Sequence, residues 1–314
     1  MKYLILLFFC WIASNFSFAQ DPMYSQNYAI PALLNPALTG SNKSFRTVSN
    51  YRNQWPNLTG NFVQVNSSAD YFFEKQTSAI GLVLSADYQS NKTISSYSAN
   101  MFYAYHHEIT SDLTFLYGAR IGLVSKQVQW DKITFGDMID PRQGFVYATG
   151  DVPNPGGRQF LDIDLGFSAY SKNYYAGIAA HHINEPNTSL IVGESRLAMR
   201  YTAHAGLTIR LVKQDDNEGK IIISPNLIYR TQAGFDQLLL GSYFQIFDIT
   251  IGGFYRVNSS YVGILGYHFK GFSFSYSYDY MSRNFDNAYL GGSHEVTFGF
   301  QLRNDRLKTP FPMF

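Results

Sequence analysis

The sequence predicts an all-β fold, a transmembrane outer-membrane antiparallel β-barrel of about 14 strands, preceded by an N-terminal periplasmic or plug segment. Three observations predict it. Charged residues make up 15% and aromatic residues 17% of the 314 residues, whereas soluble domains carry roughly 25% charged residues. Apolar and polar residues alternate with period two over stretches of about ten residues. The connections between these stretches alternate between long and short.

Residues 1–19 are predicted to form a signal peptide that directs export. Met1-Lys2 is a short basic start, an apolar stretch covers 3–13, and Ser17-Phe18-Ala19 is a cleavage site of small residues. Cleavage after Ala19 removes the only cysteine, Cys10, so the mature chain cannot rely on disulfides. We therefore expect residues 20–314 to reside in the outer membrane.

The charge and hydropathy of the mature chain exclude several classes of protein. Loss of Lys2 lowers the number of basic residues from 24 to 23, which equals the 23 acidic residues. This balance gives no reason to expect nucleic acid as a partner. After residue 19 no uninterrupted apolar run approaches the roughly 18 residues that a membrane-spanning helix needs. The aromatic content is also far too high for a disordered chain.

The alternation is clearest in residues 271–280, which read Gly-Phe-Ser-Phe-Ser-Tyr-Ser-Tyr-Asp-Tyr with an aromatic residue at every even position. Alternate residues of a strand point to the same face, so one face is aromatic and the other polar. A soluble sandwich or propeller would show Lys and Glu on its polar faces, but these faces carry Ser, Thr, Asn and Gly. Twelve or sixteen strands are the alternatives to the fourteen predicted segments, which are 44–54, 60–71, 78–89, 95–107, 112–126, 160–171, 173–182, 199–212, 220–232, 235–246, 248–257, 260–269, 271–280 and 294–303.

The lengths of the connections predict an orientation. The three long gaps, 127–159, 183–198 and 281–293, all fall on the same side of the predicted barrel. Outer-membrane barrels have long extracellular loops and short periplasmic turns, so both termini are expected in the periplasm. The loop 127–159 is long enough to be functional. It either binds a partner, holds calcium through aspartates, or covers the barrel as a lid or plug; its aspartates are Asp131, Asp137, Asp140 and Asp151.

Isolated charges within the strands are predicted to face the lumen of the barrel. Asp162 and Asp164 share one strand face at a separation of roughly 6.8 Å. They are interpreted as partners of lumen arginines such as Arg120, Arg200 or Arg210, although two carboxylates at this separation can also perform acid–base chemistry. The full set of candidate lumen charges is Arg120, Asp162, Asp164, Arg200, Arg210, Asp279 and Glu295.

Motifs for enzymatic or metal chemistry are missing from the mature sequence. It has no Cys-x-x-Cys, His-Glu-x-x-His, P-loop or Gly-x-Gly-x-x-Gly. The two histidine pairs, His106-His107 and His181-His182, are adjacent in predicted strands, so their rings are expected on opposite faces, unable to share an ion. We therefore expect no catalytic residue, no metal and no cofactor, and predict that the protein is not an enzyme.

Residues 20–43 and 304–314 lie outside the predicted barrel. The first segment has turn-forming sequences at Asn35-Pro36-Ala37 and around Gly40, and Pro36 restricts Asn35 to an extended conformation. It is expected either to contact a partner in the periplasm or to enter the lumen as a plug held by Tyr24, Tyr28 and Leu33-Leu34. The C-terminal tail contains two prolines and cannot extend the last strand.

Several short motifs in order resemble one family. They are Gln20-Asp21-Pro22-Met23-Tyr24-Ser25-Gln26, Asn35-Pro36-Ala37 with Gly40, Tyr51-Arg52-Asn53-Gln54-Trp55, Ser224-Pro225-Asn226 with Tyr229-Arg230, Tyr276-Ser277-Tyr278-Asp279 and Gly292-Ser293-His294-Glu295. Together they make the chain similar to the PorP/SprF family of the type IX secretion and gliding system of Bacteroidota outer membranes. The similarity spans almost the whole mature chain and departs at Leu38, where the family has an aromatic residue.

The resemblance implies a non-enzymatic outer-membrane component of type IX secretion, which supports delivery or surface anchoring of a large secreted protein such as an adhesin. It implies three kinds of partner: periplasmic ring proteins, a secreted adhesin with a C-terminal sorting domain, and the surrounding outer-membrane lipid. The barrel alone leaves a channel or transporter for small solutes, or a lipid enzyme, as alternatives. The candidate partner-binding or plug residues are Asn35, Pro36, Ala37, Gly40, Arg52 and Trp55.

Overall fold

The structure is a computed structural model that describes residues 21–140, 142–150, 157–191, 193–211, 221–282 and 291–302. The predicted signal peptide, the C-terminal tail and Asp151 lie outside these residues. No helix in the described ranges is long and apolar enough to cross a membrane.

Fourteen strands form one antiparallel barrel within the described chain, and the predicted fold class is confirmed. Ile209–Arg210 continues the eighth strand after a break at Thr208. The strands are β1 Arg46–Gln54, β2 Phe62–Phe73, β3 Ser78–Gln89, β4 Ile94–Glu108, β5 Thr114–Val128, β6 Arg158–Tyr170, β7 Tyr174–His181, β8 Arg200–Leu207, β9 Ile221–Gln232, β10 Phe235–Ile246, β11 Ile249–Arg256, β12 Ser260–Phe269, β13 Phe272–Met281 and β14 Ser293–Gln301.

Each strand pairs with its neighbours in sequence, and β1 pairs with β14, so the sheet is closed. In this last pairing Tyr51 lies opposite Val296. The pairing of β8 with β9 is also antiparallel and places His204 opposite Ile228. Because every edge is paired, the barrel presents no open strand edge to the membrane.

The two faces of the wall differ as the alternation predicts. In β13 the rings of Phe272, Phe274 and Tyr276 are exposed on the outside, while Ser275 and Ser277 are buried inside. The outer face is therefore apolar and aromatic, and the lumen face is polar, as a lipid-embedded barrel requires.

The connections divide the barrel into two ends. The two longest, 129–157 and 182–199, lie at the end that we call the long-loop end. The opposite, short-turn end carries compact turns such as 74–77, 171–173 and 270–271. The long loop includes a small hairpin, with strands Ile139–Asp140 and Gly144–Phe145.

Residues 21–43, here called the N-terminal arm, lie inside the barrel. The arm contains a one-turn helix, Pro31–Leu34, and a 3₁₀ turn, Pro36–Leu38. Most of its side chains are buried, and Tyr28, Ala37 and Leu38 are 0% exposed. They pack in an apolar cluster with inward-facing residues of the wall, including Leu116, Tyr175, Ile228, Leu239 and Tyr243.

The arm runs the length of the lumen from one end to the other. Asp21 contacts His182, Arg200 and Gln232, which are all at the long-loop end. Lys43 pairs with Glu108 at the short-turn end, just before β1 begins. The prediction that both termini lie at the short-turn end is therefore wrong for the start of the described chain, because the arm crosses the lumen before it joins the wall.

Candidate functional site

The candidate site is the lumen surface that holds the N-terminal arm. Four groups of contacts attach the arm to the wall, and they follow one another from the long-loop end to the short-turn end. In each group, backbone or side-chain atoms of the arm contact polar residues of the wall.

At the long-loop end, Asp21 is held by two cations. Its Oδ2 lies 2.7 Å from Nη1 of Arg200 and 2.7 Å from Nε2 of His182. The other ring nitrogen of His182, Nδ1, lies 2.8 Å from Asp162. The imidazole therefore bridges a carboxylate of the arm and a carboxylate of the wall.

These contacts shift the protonation of the two residues outside the strands. Burial disfavours the charged imidazole, but Asp21 and Asp162 outweigh it and raise the pKa of His182 to about 9. Burial also opposes ionisation of Asp21, yet Arg200 and His182 hold the pKa of this carboxyl well below its usual range. Both groups are therefore charged at neutral pH.

Below this pair, the Arg120 guanidinium joins the two predicted lumen carboxylates. Its Nη2 donates to Asp162 at 2.5 Å and to Asp164 at 2.7 Å. Asp164 also lies 2.7 Å from Nδ1 of His181. Because the carboxylates are shared among an arginine and two imidazoles, the cluster is an ion-pair network in which each buried charge has a partner.

The same cluster contains three residues whose side chains can ligate a metal ion. Ligand atoms of Asp162, Asp164 and His182 lie within 4.8 Å of one another. Both carboxylates, however, already accept hydrogen bonds from the Arg120 guanidinium. The positive charge of the Arg120 guanidinium would repel a metal ion at this position, so these residues do not fit a metal site.

A second ion-pair network lies on β1, β13 and β14 around Arg52. Its Nη2 lies 3.1 Å from Asp279, and its Nη1 lies 3.1 Å from Glu295. Arg256 adds a contact of 3.0 Å to Asp279. The charges of two arginines and two carboxylates balance, and Glu295 is 0% exposed.

This second network holds the arm through its backbone. The Ser25 amide donates to Glu295 at 2.7 Å, and the Ser25 hydroxyl donates to Asp279. The side chain of Gln26 accepts a 2.5 Å hydrogen bond from Ser275. The start of the arm is thus bound by side chains on the lumen face of β13 and β14.

The 3₁₀ turn of the arm fits against the wall at two glycines. Asn35 is extended, as expected before a proline, and its Oδ1 accepts a 2.9 Å hydrogen bond from the Ala37 amide. A Cβ on Gly118 would overlap the backbone of Ala37, and one on Gly166 would overlap the Asn35 side chain. Glycine is needed here because the turn touches the strands directly.

At the short-turn end, the arm is fixed by main-chain atoms. The Gly40 amide donates to Asp70 at 3.0 Å, and Asp70 also pairs with Arg46 at 3.0 Å. The Thr39 carbonyl lies 3.0 Å from Nε2 of His106. Gly40 has a φ of +67°, a conformation that favours glycine.

The predicted site residues occupy three kinds of position. Asn35, Pro36, Ala37 and Gly40 belong to the buried arm, and Arg52 binds the arm from the wall. Trp55 lies just beyond β1, where its ring packs on Phe62 and its Nε1 donates to the Met281 sulfur at 3.1 Å. The lumen charges Arg120, Asp162, Asp164, Asp279 and Glu295 are buried inside, and Arg200 lies inside at the long-loop end.

Two sequence predictions are wrong. Arg210 is exposed and not in the lumen, because it lies past the break at Thr208 and donates to the carbonyl of Lys172 at the rim. His181 and His182 were expected to point to opposite faces, but both rings are buried inside. His182 follows the end of β7 with a φ of +58°, which interrupts the alternation and turns its ring inward.

Sequence reasoning missed several residues of the site. Asp21 and His204 were not singled out, although His204 Nε2 lies 3.1 Å from the amide nitrogen of Asn35. Arg46 and Asp70 were also missed. Arg46 and Asp70 lie directly opposite each other in the pairing of β1 and β2. The alternation of polar and apolar residues in both strands puts these two charges on the lumen face, and this pattern could have identified them.

A cavity of about 450 Å³ lies between the arm and the wall. The arm side is apolar, with Ile30, Leu33 and Leu34. The wall side is polar and is formed by β2 to β8. Its lining also includes Phe62, Phe160 and Leu197, so the cavity extends to the long-loop end.

Residues 16–300 match the family described as Type IX secretion system membrane protein PorP/SprF. No curated protein matches the chain.

Among solved structures, a Pseudomonas aeruginosa FadL homologue is 12% identical, with a TM-score of 0.44, over 90% of this chain and 98% of that chain. The KdgM porin is 9% identical, with a TM-score of 0.39, over 82% of this chain and 99% of that one. The translocator domain of the autotransporter NalP from Neisseria meningitidis is 12% identical, with a TM-score of 0.37, over 83% and 88% of the two chains.

Proposed function

The chain belongs to the PorP/SprF family of type IX secretion membrane proteins, and we propose that it supports the delivery or surface anchoring of a large secreted protein such as an adhesin. In this role the outer-membrane barrel acts without catalysis. Its partners are the secreted protein, with its C-terminal sorting domain, at the long-loop end and periplasmic ring proteins at the short-turn end.

The observation that carries the proposal is the arm inside the barrel. The arm spans the lumen from Asp21 to Lys43 and is bound by an ion pair at each end. A protein whose lumen is crossed by its own chain is suited to act at the surfaces of its two ends. The long-loop end, with its loops 129–157 and 182–199, offers the larger of these surfaces.

The long loop 129–157 supports a role in contacts, because its aspartates organise the loop itself. Asp137 accepts a 3.0 Å hydrogen bond from Thr149, and Asp140 accepts a 2.9 Å hydrogen bond from Tyr147. These contacts join Asp137 to Thr149 and Asp140 to Tyr147 in the described part of the loop, where the apolar side chains of Ile139 and Val146 are exposed. A defined surface with exposed apolar side chains is a suitable place for a protein partner.

A solute channel is the second candidate function, and the cavity beside the arm favours it. For solutes to cross, the arm would have to leave its buried contacts, because it occupies the lumen below the cavity. Planar bilayer recordings separate the two functions. A secretion component of this kind is expected to give no steady conductance, whereas a solute channel is expected to show conductance as the arm leaves the lumen.

Deletion of the gene tests the proposed function directly. We expect one or a few large secreted proteins to disappear from the cell surface, as measured by comparing surface and secreted proteomes of the mutant and the parent strain. Reintroducing the intact gene should restore them. An unchanged surface proteome would contradict the proposal.

A further inference from the structure

The cavity beside the arm has a wall built from two adjacent rows of polar side chains. Ser85 and Asp87 lie on the lumen face of β3, and Ser96 and Ser98 lie on the lumen face of β4. In the register of the two strands Ser85 is opposite Ser98, and Asp87 is opposite Ser96. The rows therefore run side by side towards the long-loop end.

The spacing of these rows matches an extended polypeptide. Alternate residues of a strand repeat about every 6.8 Å, which is also the repeat of the carbonyl groups along one edge of an extended peptide. Hydroxyl and carboxylate groups at this spacing can bind successive main-chain amides and carbonyls. On the other side of the lumen, one carboxylate already binds two main-chain amides of the arm.

There, the wall binds the start of the arm through a carboxylate and two hydroxyl groups. Glu295 accepts hydrogen bonds from the backbone amides of Ser25 and Gln26 at 2.7 and 3.3 Å. Ser275 and Ser277, two residues apart on β13, both contact the Gln26 side chain. The lumen thus has one polar face that is occupied by the arm and a comparable polar face that borders the cavity.

Two further features define what the cavity would bind. The ammonium of Lys126 lines the cavity and makes no hydrogen bond or ion pair of 4.0 Å or less to any group in the described part of the chain. Leu33 of the arm is only half-buried and forms part of the opposite, apolar surface. A ligand that carries a carboxylate and an aliphatic group complements both.

We propose that this cavity binds an extended, acidic peptide segment of another protein, which enters from the long-loop end. The segment lies along the rows of β3 and β4, places a carboxylate near Lys126 and packs an aliphatic side chain on Leu33. This assignment rests on the proposed function and names the chemistry by which the barrel holds its secreted partner.

Site-directed cross-linking tests the assignment in cells. The mature chain contains no cysteine, so Ser96→Cys supplies a single thiol in the cavity. The thiol is labelled with maleimidobenzophenone and irradiated, and the adduct is analysed by mass spectrometry. We expect an acidic segment of another protein to be attached. A Tyr97→Cys variant, whose thiol lies on the outer face of the same strand, should not capture that segment.

A charge variant makes the test quantitative. Lys126→Gln in the Ser96→Cys background should lower the yield of the adduct on the order of tenfold, because a charge-assisted contact is lost. Lys92→Gln, which removes one charge at the same end of the barrel outside the cavity, should leave the yield unchanged. An adduct that contains carbohydrate only, the absence of any adduct, or equal yields in the two charge variants would overturn the assignment.

Filling the cavity separates this inference from the proposed function. We expect Ser98→Trp to assemble as a barrel, judged by a mobility shift between unboiled and boiled samples, and to lose the secreted protein from the surface. If gene deletion removes that protein but an assembled Ser98→Trp barrel retains it, the cavity assignment fails and the proposed function stands. If gene deletion itself has no effect, the proposed function fails.

Discussion

The Asp21 carboxylate lies 2.7 Å from Nε2 of His182, so the first described residue of the chain is tied to the wall just past the end of β7. The pair joins positions separated by 161 residues. It continues through Asp162 to Arg120, so the contacts extend along the neighbouring strands β6 and β5. The outer end of the arm is therefore held by charge.

This contact predicts a pH dependence. The pKa of His182 is raised from 6.5 to about 9, since Asp21 and Asp162 outweigh the effect of burial. Because the pKa of His182 is higher in the folded state, the protonated imidazole contributes its full stabilisation of the fold below pH 6.5. This stabilisation is lost as pH rises through about 9. We expect proteolysis of the arm to increase between pH 7 and 9.5.

The matched variant is His182→Gln, which cannot titrate and should be cleaved to the same extent across this range. His107→Gln, an exposed histidine at the other end of the barrel, should retain the parental pH profile. A parental profile in His182→Gln would show that another group controls the arm.

Removal of Arg52 is expected to destabilise the barrel strongly. Its guanidinium contacts Asp279 and Glu295 at 3.1 Å each, and all three side chains are buried. Arg52→Met would leave two buried carboxylates with too little positive charge, and breaking a buried pair in this way costs about 3–5 kcal/mol. The measurement is urea unfolding in detergent micelles, monitored by the gel mobility shift.

Arg196→Met is the control for this variant. Arg196 lies 3.8 Å from Glu194 with both side chains exposed, and such surface pairs contribute roughly 0–1 kcal/mol. Similar unfolding midpoints for the two variants would contradict a structural role of the Arg52 network.

A larger residue at Gly118 is expected to displace the arm without preventing assembly of the barrel. A side chain at this position would overlap the backbone of Pro36 and Ala37. Gly118→Val should therefore expose the arm to protease and produce measurable conductance in planar bilayers. Gly263→Val is the control, since a Cβ at Gly263 meets nothing within 4 Å. An arm that stays protected in Gly118→Val would show that it does not pack on β5 as described.

The wall of the barrel could be predicted because its pattern is local. Ser275, Ser277 and Asp279 alternate with aromatic residues, so the inward face of β13 is evident from the sequence. The same parity correctly placed Asp162 and Asp164 together inside. The alternation does not show where a strand ends. Arg210 follows the alternation of the lumen face but lies past the strand break at Thr208, and it was therefore wrongly assigned to the lumen.

The site itself depends on the path of the arm through the lumen. The period-two alternation of strand residues contains no information about that path. Asp21 meets His182 only because the arm crosses the lumen, and the sequence left open whether residues 20–43 stay in the periplasm. The positive φ of His182 is a second local exception to strand alternation. Turn-forming residues such as Asn35 and Gly40 indicated that the arm has a fixed conformation. They did not indicate which glycines of the wall the arm packs against.

The path of the arm makes a prediction about the mature N-terminus. Asp21 is at the same end of the barrel as the loop 182–199, and long loops of outer-membrane barrels face the outside of the cell. An epitope tag inserted between Gln20 and Asp21 should therefore bind antibody on intact cells, as measured by flow cytometry. The same tag inserted in the turn 109–113, at the short-turn end, should bind only after the outer membrane is permeabilised. The reverse result for both tags would mean that the barrel is oriented the other way, and binding of neither tag on intact cells would contradict the path of the arm through the lumen.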